Sequence, residues 1–233
     1  MKPPAPGLRP LPEGLLGLGA LPAARALLGA WLVAQTPAGL LGGPIVEVEA
    51  YLPHGDPGSH SARGPTLRNR SMFGPPGRAY VYRIYGLHHC FNVVAGPAGS
   101  GEAVLIRGLE LRLPAGRELG PDAARGPGRL AALFGLDLAH DGLPLLDVGG
   151  ALSLWRDPAL PVSRAGISQS RRIGLGAGRG PELALRLAEL GSPAVSLPRP
   201  FDRRLLRAAG APGASPRGVA PWLGAGPDPS CRP

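Results

Sequence analysis

The chain has almost no lysine. Lys2 is the single lysine among 25 basic residues, and the rest are arginines. Arginine forks grip phosphate oxygens well, although GC-rich coding produces the same skew. Cysteine is nearly absent, with only Cys90 and Cys231 in 233 residues. Two cysteines so far apart make no disulfide framework, which points to a reducing, cytoplasmic setting. Acid is missing from one long stretch. No Asp or Glu lies between Asp56 and Glu102, while Arg63, Arg68, Arg70, Arg78 and Arg83 do. A polyanion could lie on such a segment without repulsion. Long apolar runs are lacking too. Pro22 and Arg25 interrupt the stretch from Leu15 to Val33, which argues against a signal peptide and a membrane span.

What is present defines one domain. The 44% hydrophobic content over 233 residues is enough for one sizeable core. A net charge of +9 points to an anionic partner, nucleic acid before a membrane surface. The 37 Gly and 30 Pro predict many loops. Residues 1–13 read as a disordered Pro-rich tail and 14–196 as the folded domain. Residues 197–233 read as a Pro/Gly/Arg-rich tail that adds at most non-specific phosphate affinity. No internal repeat is evident.

Local signals give a mixed set of elements. Pro22–Gly29 reads as a short helix, and Trp31–Val33 as extended chain that pairs with Ile45–Tyr51 across a turn at Thr36–Gly39. Ala79–Tyr82 and His88–Val94 form a hairpin with Tyr85-Gly86 at its tip. Ala103–Leu111 and Leu152–Trp155 are further strands, and Gly126 opens a helix through Phe134. Leu183–Glu189 fits either helix or strand. The connection from Leu52 to Arg70 is polar and long, which favours a functional loop.

The segment from Ile45 to Arg107 gathers the chemistry. All four tyrosines and four of the five histidines fall in it. Residues 45–51, I-V-E-V-E-A-Y, alternate with period two. Val46, Val48 and Ala50 then face a core, and Glu47, Glu49 and Tyr51 face the other way. Carboxylate, aromatic rings and a cationic surround are what excising a base from DNA requires. Each residue also has a plainer reading. Glu49 alone would be a solvated carboxylate, and Glu47 a salt-bridge partner of an arginine. His88-His89-Cys90 invites a zinc reading, but neighbours on a strand point to opposite faces and no second ligand pair has suitable spacing. Neither a metal nor a cofactor is expected.

The ordered pieces V-E-V-E-A-Y (46–51), S-H-S (59–61), R-N-R-S-M-F (68–73) and G-R-A-Y-V-Y-R-I-Y-G (77–86) carry a resemblance, with C-F-N (90–92) and V-L-I-R (104–107) following. Weaker pieces are G-P-G-R-L (126–130), R-I-G (172–174) and G-S-P-A-V-S (191–196). In these the chain resembles the alkyladenine, or methylpurine, DNA glycosylases over roughly residues 20 to 196. The resemblance implies an α+β fold: a single domain with a strongly curved, mainly antiparallel sheet, peripheral helices and a protruding β-hairpin. It implies a monomeric DNA repair enzyme that flips alkylated or deaminated purines out of double-stranded DNA and hydrolyses the N-glycosidic bond. In the bacterial cell such an enzyme would be cytoplasmic and meet the nucleoid. The rival from another class is a catalytically silent nucleic-acid-binding protein, which would not need Glu49. An RNA-binding domain is a third reading, disfavoured because a minor-groove wedge suits B-form duplex.

The resemblance also implies residue roles. Glu49 matches the general base that activates the attacking water, and Arg107 and the backbone carbonyl of Ile173 match groups that hold it. Tyr51, His60 and Tyr82 match the walls that sandwich the extruded base. The backbone N–H of His60 would also meet that base. Asn92 matches the position that crowds the exocyclic amino group of guanine. Tyr85 matches the wedge that fills the vacated stack, and Gly86, Leu87, His88, Arg68 and Arg70 complete the expected DNA contacts. Leu87 and His88 are positions where the family varies. The segment 181–190 lacks the aromatic residues many members carry there.

Overall fold

The computed structural model describes residues 3–113, 119–159, 166–180 and 182–196. The expected C-terminal tail lies outside them. The architecture is built on one long strand. After β1 (Arg9–Pro10), α1 (Ala20–Leu27) and β2 (Trp31–Thr36) comes β3 (Gly39–Tyr51), 13 residues long. Its first half pairs with β2, from Thr36 opposite Gly39 to Trp31 opposite Pro44. Its second half is therefore free for other partners. Sequence reasoning had Ile45–Tyr51 as the mate of β2, and the pairing falls on the residues just before it. The tight turn fixes that register, since Thr36 Oγ1 donates to the Gly39 carbonyl at 2.7 Å.

The second half of β3 lies between β6 (Glu102–Leu109) and β9 (Arg186–Glu189). A hairpin of β4 (Ala79–Ile84) and β5 (His88–Ala95) joins through β5 to β6. Helix α2 (Pro127–Leu133) follows, then β7 (Leu152–Arg156), which pairs with β2, and β8 (Ile167–Ser170), which pairs with β9. The strand order is β1-β7-β2-β3-β6-β5-β4, with β9 and β8 branching from β3. Every pairing is antiparallel and the sheet does not close. The expected α+β class and mainly antiparallel sheet are thus observed. Leu183–Glu189, ambiguous by period, contains strand β9. Strand β8 lies where no element was expected. Arg9–Pro10, expected in a disordered tail, pairs with β7, and Leu8 and Leu11 beside it are buried.

One sheet face is apolar and packs on α1. The helix buries Ala20, Ala23, Ala24 and Leu27, an i, i+3, i+4, i+7 stripe. Val48 and Ala50 of β3, Val104 and Ile106 of β6, Phe91 and Val93 of β5 and Val81 of β4 join it in one cluster. Each large side chain so buried contributes about 1.5–3 kcal/mol. The opposite face was expected to be open, but it too is covered. Residues 45–50 are all buried. The β3–β6 register also shifts around Glu47, and Val46 packs apart from Val48, with Ala188, Ala194 and Val195. A bulge of this kind redirects side chains, so the alternation breaks at Val46, while Val48 and Ala50 stay in the α1 core and Glu47 and Glu49 both meet Arg107. Gly108 allows the covering segment close approach, because a Cβ there would meet the Ala194 carbonyl at 2.6 Å.

Candidate active site

The register places the site. Glu49 of β3 stands opposite Leu105 of β6, Leu105 opposite Asn92 of β5, and Asn92 opposite Tyr80 of β4. These four form one row across the sheet, on the face turned away from the α1 core. Two residues along the strands, Tyr51 pairs with Ala103. In the other direction Tyr82 pairs with Cys90. Tyr51 and Tyr82 both pack on the cluster of Met72, Tyr80, Val94 and Ala103.

Glu49 is fully buried, and three donors converge on it. The Tyr51 hydroxyl donates to Oε2 at 2.9 Å and the Ile173 backbone N–H to Oε1 at 2.7 Å. Arg107 Nη1 lies 3.3 Å from Oε1. The expected pairing of Glu49, Arg107 and Ile173 in one place is thus present, with the Ile173 N–H as the group that touches the carboxylate. Burial first, and then the charge of Glu49, pushes the Tyr51 phenol well above its usual range, so its hydroxyl stays a donor. Burial works against the charge of Arg107, but Glu49 and Glu47 outweigh it and raise its pKa.

Glu47 has different partners. Its Oε1 accepts from Arg107 Nε at 3.1 Å, Arg186 Nε at 2.7 Å and Ser196 Oγ at 2.8 Å, and its Oε2 accepts from the Ser196 N–H at 2.6 Å. The expected arginine partner is therefore two arginines, and the carboxylate also ties Ser196 onto β3. Arg186 and Ser196 carry no sequence signal for this role.

The aromatic group sits beside the carboxylates. His60 and Tyr82 meet edge to face, with centroids 4.5 Å apart and planes at 69°. The Tyr80 hydroxyl is 2.7 Å from His60 Nδ1. Tyr80 also lies beside Tyr82, with ring centroids 5.5 Å apart. Desolvation first, then the nearby Arg68 and Arg179, lowers the His60 pKa below 6.5, so the ring is neutral at pH 7. Burial raises the phenol pKa of both Tyr80 and Tyr82. Burial likewise raises that of the Cys90 thiol. The Asn92 amide donates to the Tyr80 carbonyl at 2.9 Å, which fixes its orientation. Buried Asn69 holds the His60 loop, donating to the His60 carbonyl at 2.8 Å and accepting from the Thr66 N–H at 2.6 Å.

Of the remaining predicted residues, Tyr85, Gly86, Leu87 and His88 lie at the hairpin tip, and Arg68 and Arg70 in the segment before β4. Tyr85 and Leu87 are 84% and 80% exposed, and His88 is exposed at the start of β5. The Leu87 N–H closes a turn on the Ile84 carbonyl at 3.2 Å, with Tyr85 at φ 52° and Gly86 at φ 70°. Arg68, Arg70, Arg83 and Tyr85 line a cleft of about 600 Å³ along the hairpin. Arg68 is held there by its bond to the Arg83 carbonyl at 2.8 Å. Among the described residues no group of three or more His, Cys, Asp or Glu could hold a metal, and no helix is long and apolar enough to cross a membrane.

Residues 18–193 match the family model described as methylpurine-DNA glycosylase. The chain belongs to the methylpurine-DNA glycosylase family. A relative from Methanoculleus marisnigri is 43% identical over 195 residues, covering 80% of this chain and 98% of its own. One from Rubrobacter xylanophilus is 44% identical over 190 residues, covering 78% and 95%. Another from Rhodopseudomonas palustris is 46% identical over 156 residues, covering 62% and 73%. Each is provisionally named a 3-methyladenine DNA glycosylase. Membership in the methylpurine-DNA glycosylase family makes the chain a DNA repair enzyme with DNA as its substrate, and sets aside the silent binder.

Proposed function

We propose that the chain acts as a monomer on duplex DNA, turning an alkylated or deaminated purine out of the stack and hydrolysing its bond to the sugar. Glu49 takes the proton of the attacking water. The observation that carries this reading is the environment of Glu49. A carboxylate offers roughly four acceptor positions; Tyr51 and Ile173 fill two by hydrogen bonds, and Arg107 adds an ion-pair contact at 3.3 Å beside a third. One position remains for a water. Arg107 lies close enough to orient that water, and burial keeps bulk solvent away.

Tyr51, His60 and Tyr82 form the walls of the base pocket, where aromatic stacking is worth about 1–3 kcal/mol per base. An alkylated purine such as 7-methylguanine is cationic and already a good leaving group, so electron-rich rings and one base suffice. Asn92 crowds the exocyclic amino group of an undamaged guanine. Tyr85 fills the vacated space in the duplex, and Arg68 and Arg70 grip phosphates. The test is release of free base from duplex oligonucleotides, each with one lesion: 3-methyladenine, 7-methylguanine or hypoxanthine. Release of alkylated purines, with no release from undamaged duplex, is the expected result. Release of pyrimidine lesions alone would overturn the assignment.

A further inference from the structure

Behind Tyr51 lies a second buried ion pair that the reaction as described does not use. The side chains of Asp56 and Arg172 are both fully buried. Arg172 Nη1 donates to Asp56 Oδ2 at 2.7 Å, and Nη2 to Oδ1 at 2.5 Å. Nη1 also donates to the Ala50 carbonyl at 3.1 Å, at the residue next to Tyr51. Asp56 further accepts from the Leu52 and Gly58 N–H groups at 3.0 and 3.1 Å. The guanidinium carbon stands over the Tyr51 ring, 4.4 Å from its centroid.

A ring has two faces, and Arg172 occupies one. A purine stacked on Tyr51 is left the other. With a contact spacing of about 3.5 Å, that purine lies roughly 8 Å from the Arg172 charge. An unbalanced unit charge at that range changes binding of a cationic ligand, relative to a neutral one, by on the order of tenfold in a protein interior. A cation on one face also draws on the π density that a cationic purine on the other would use. Asp56 supplies the opposing charge.

We propose that the Asp56–Arg172 pair is a specificity-determining charge balance behind the stacking ring. It anchors Tyr51 while leaving the pocket without a bias against cationic purines. This rests on the reading that the purine stacks on Tyr51. The two partners act in opposite directions. Arg172→Gln leaves the Asp56 charge behind the ring and favours a cationic purine. Asp56→Asn leaves the Arg172 charge and disfavours it. Glu49 and Arg107 are unchanged in both variants.

The experiment measures single-turnover base release from duplexes carrying either 7-methylguanine, which is cationic, or hypoxanthine, which is neutral. The readout is the ratio of the two rates on one sample, so loss of folded enzyme cancels. Breaking one side of a buried pair is destabilising, whereas removing both partners is better tolerated. Arg172→Gln should raise the cationic-to-neutral ratio on the order of tenfold, and Asp56→Asn should lower it by a similar factor. The double variant should return near the wild-type ratio. If either single variant yields no folded protein, Asp56→Asn with Arg172→Lys is compared with Asp56→Asn with Arg172→Gln, and the lysine version should show the lower ratio. Single variants that move the ratio in the same direction, or leave it unchanged, reduce the pair to scaffolding and overturn the proposal. Tyr51→Ala separates the two levels. If it releases both bases at wild-type rates, the stacking reading itself fails.

Discussion

Glu47 and Glu49 are two residues apart on β3 and both fully buried, yet apart from a shared Arg107 they meet different partners. Glu47 is enclosed by Arg107, Arg186 and Ser196. Glu49 meets a phenol, a backbone N–H and one arginine edge. The first environment suits a structural ion pair, and the second leaves an acceptor position free. Glu49→Gln should therefore keep DNA binding and lose base release by about 10²–10⁴, the usual worth of a general base. Glu47→Gln should instead lower the melting temperature, since weakening a buried pair costs about 3 kcal/mol or more, while turnover per folded molecule stays within tenfold. Thermal melts and single-turnover rates decide this. Wild-type turnover in Glu49→Gln, with Glu47→Gln inactive though folded, would mean the other carboxylate is the base. From the alternation alone the two glutamates were nearly equivalent, and only the resemblance favoured Glu49. What separates them physically comes from residues more than 100 positions away: Ile173 in one case, and Arg186 and Ser196 in the other. Such contacts leave no local signature. Asp56 and Arg172 were hidden for the same reason, 116 residues apart.

The β4–β5 hairpin was legible because its signals are local: period-two strands and a Tyr-Gly turn. Strands β8 and β9 were not, because their four-residue stretches exist as strands only through pairing with each other and with β3. The hairpin tip carries the one non-glycine residue with positive φ among the described residues, Tyr85 at 52°. An L-residue in that region costs about 1–2 kcal/mol. The turn has positive φ at Tyr85 and at Gly86, as a tight hairpin turn demands. Glycine would fit the first position without strain, so the chain holds a strained tyrosine where stability alone favours Gly. Tyr85→Gly should raise or preserve the melting temperature while slowing base release. The loss should be smallest when the target base is mispaired, because less stacking and pairing must be broken. Equal losses on paired and mispaired targets would count against the wedge role.

At the scale of the whole molecule, the sheet gives one face to α1 and the other to the site, and Arg68, Arg70 and Arg83 line the cleft along the neighbouring hairpin. The composition limits the chemistry. A glycosylase that also cuts the strand uses an amine nucleophile to form a Schiff base with the sugar aldehyde. The sequence holds one lysine, Lys2, which lies outside the described residues and far in sequence from Glu49 and the tyrosines. Arginine cannot substitute, because its guanidinium stays protonated and is not nucleophilic. Arg107 and Arg172, both beside the site, are moreover bound to carboxylates. On the proposed reading, water activated by Glu49 is then the nucleophile, and the expected product is an intact abasic strand. Borohydride added during turnover on a 7-methylguanine duplex should trap no protein–DNA adduct, and gels should show strand breaks only after alkali. An adduct formed during turnover, and lost in Lys2→Ala or in protein with a blocked N-terminus, would show that an amine reaches the sugar and that Glu49 is not the sole source of the attacking group.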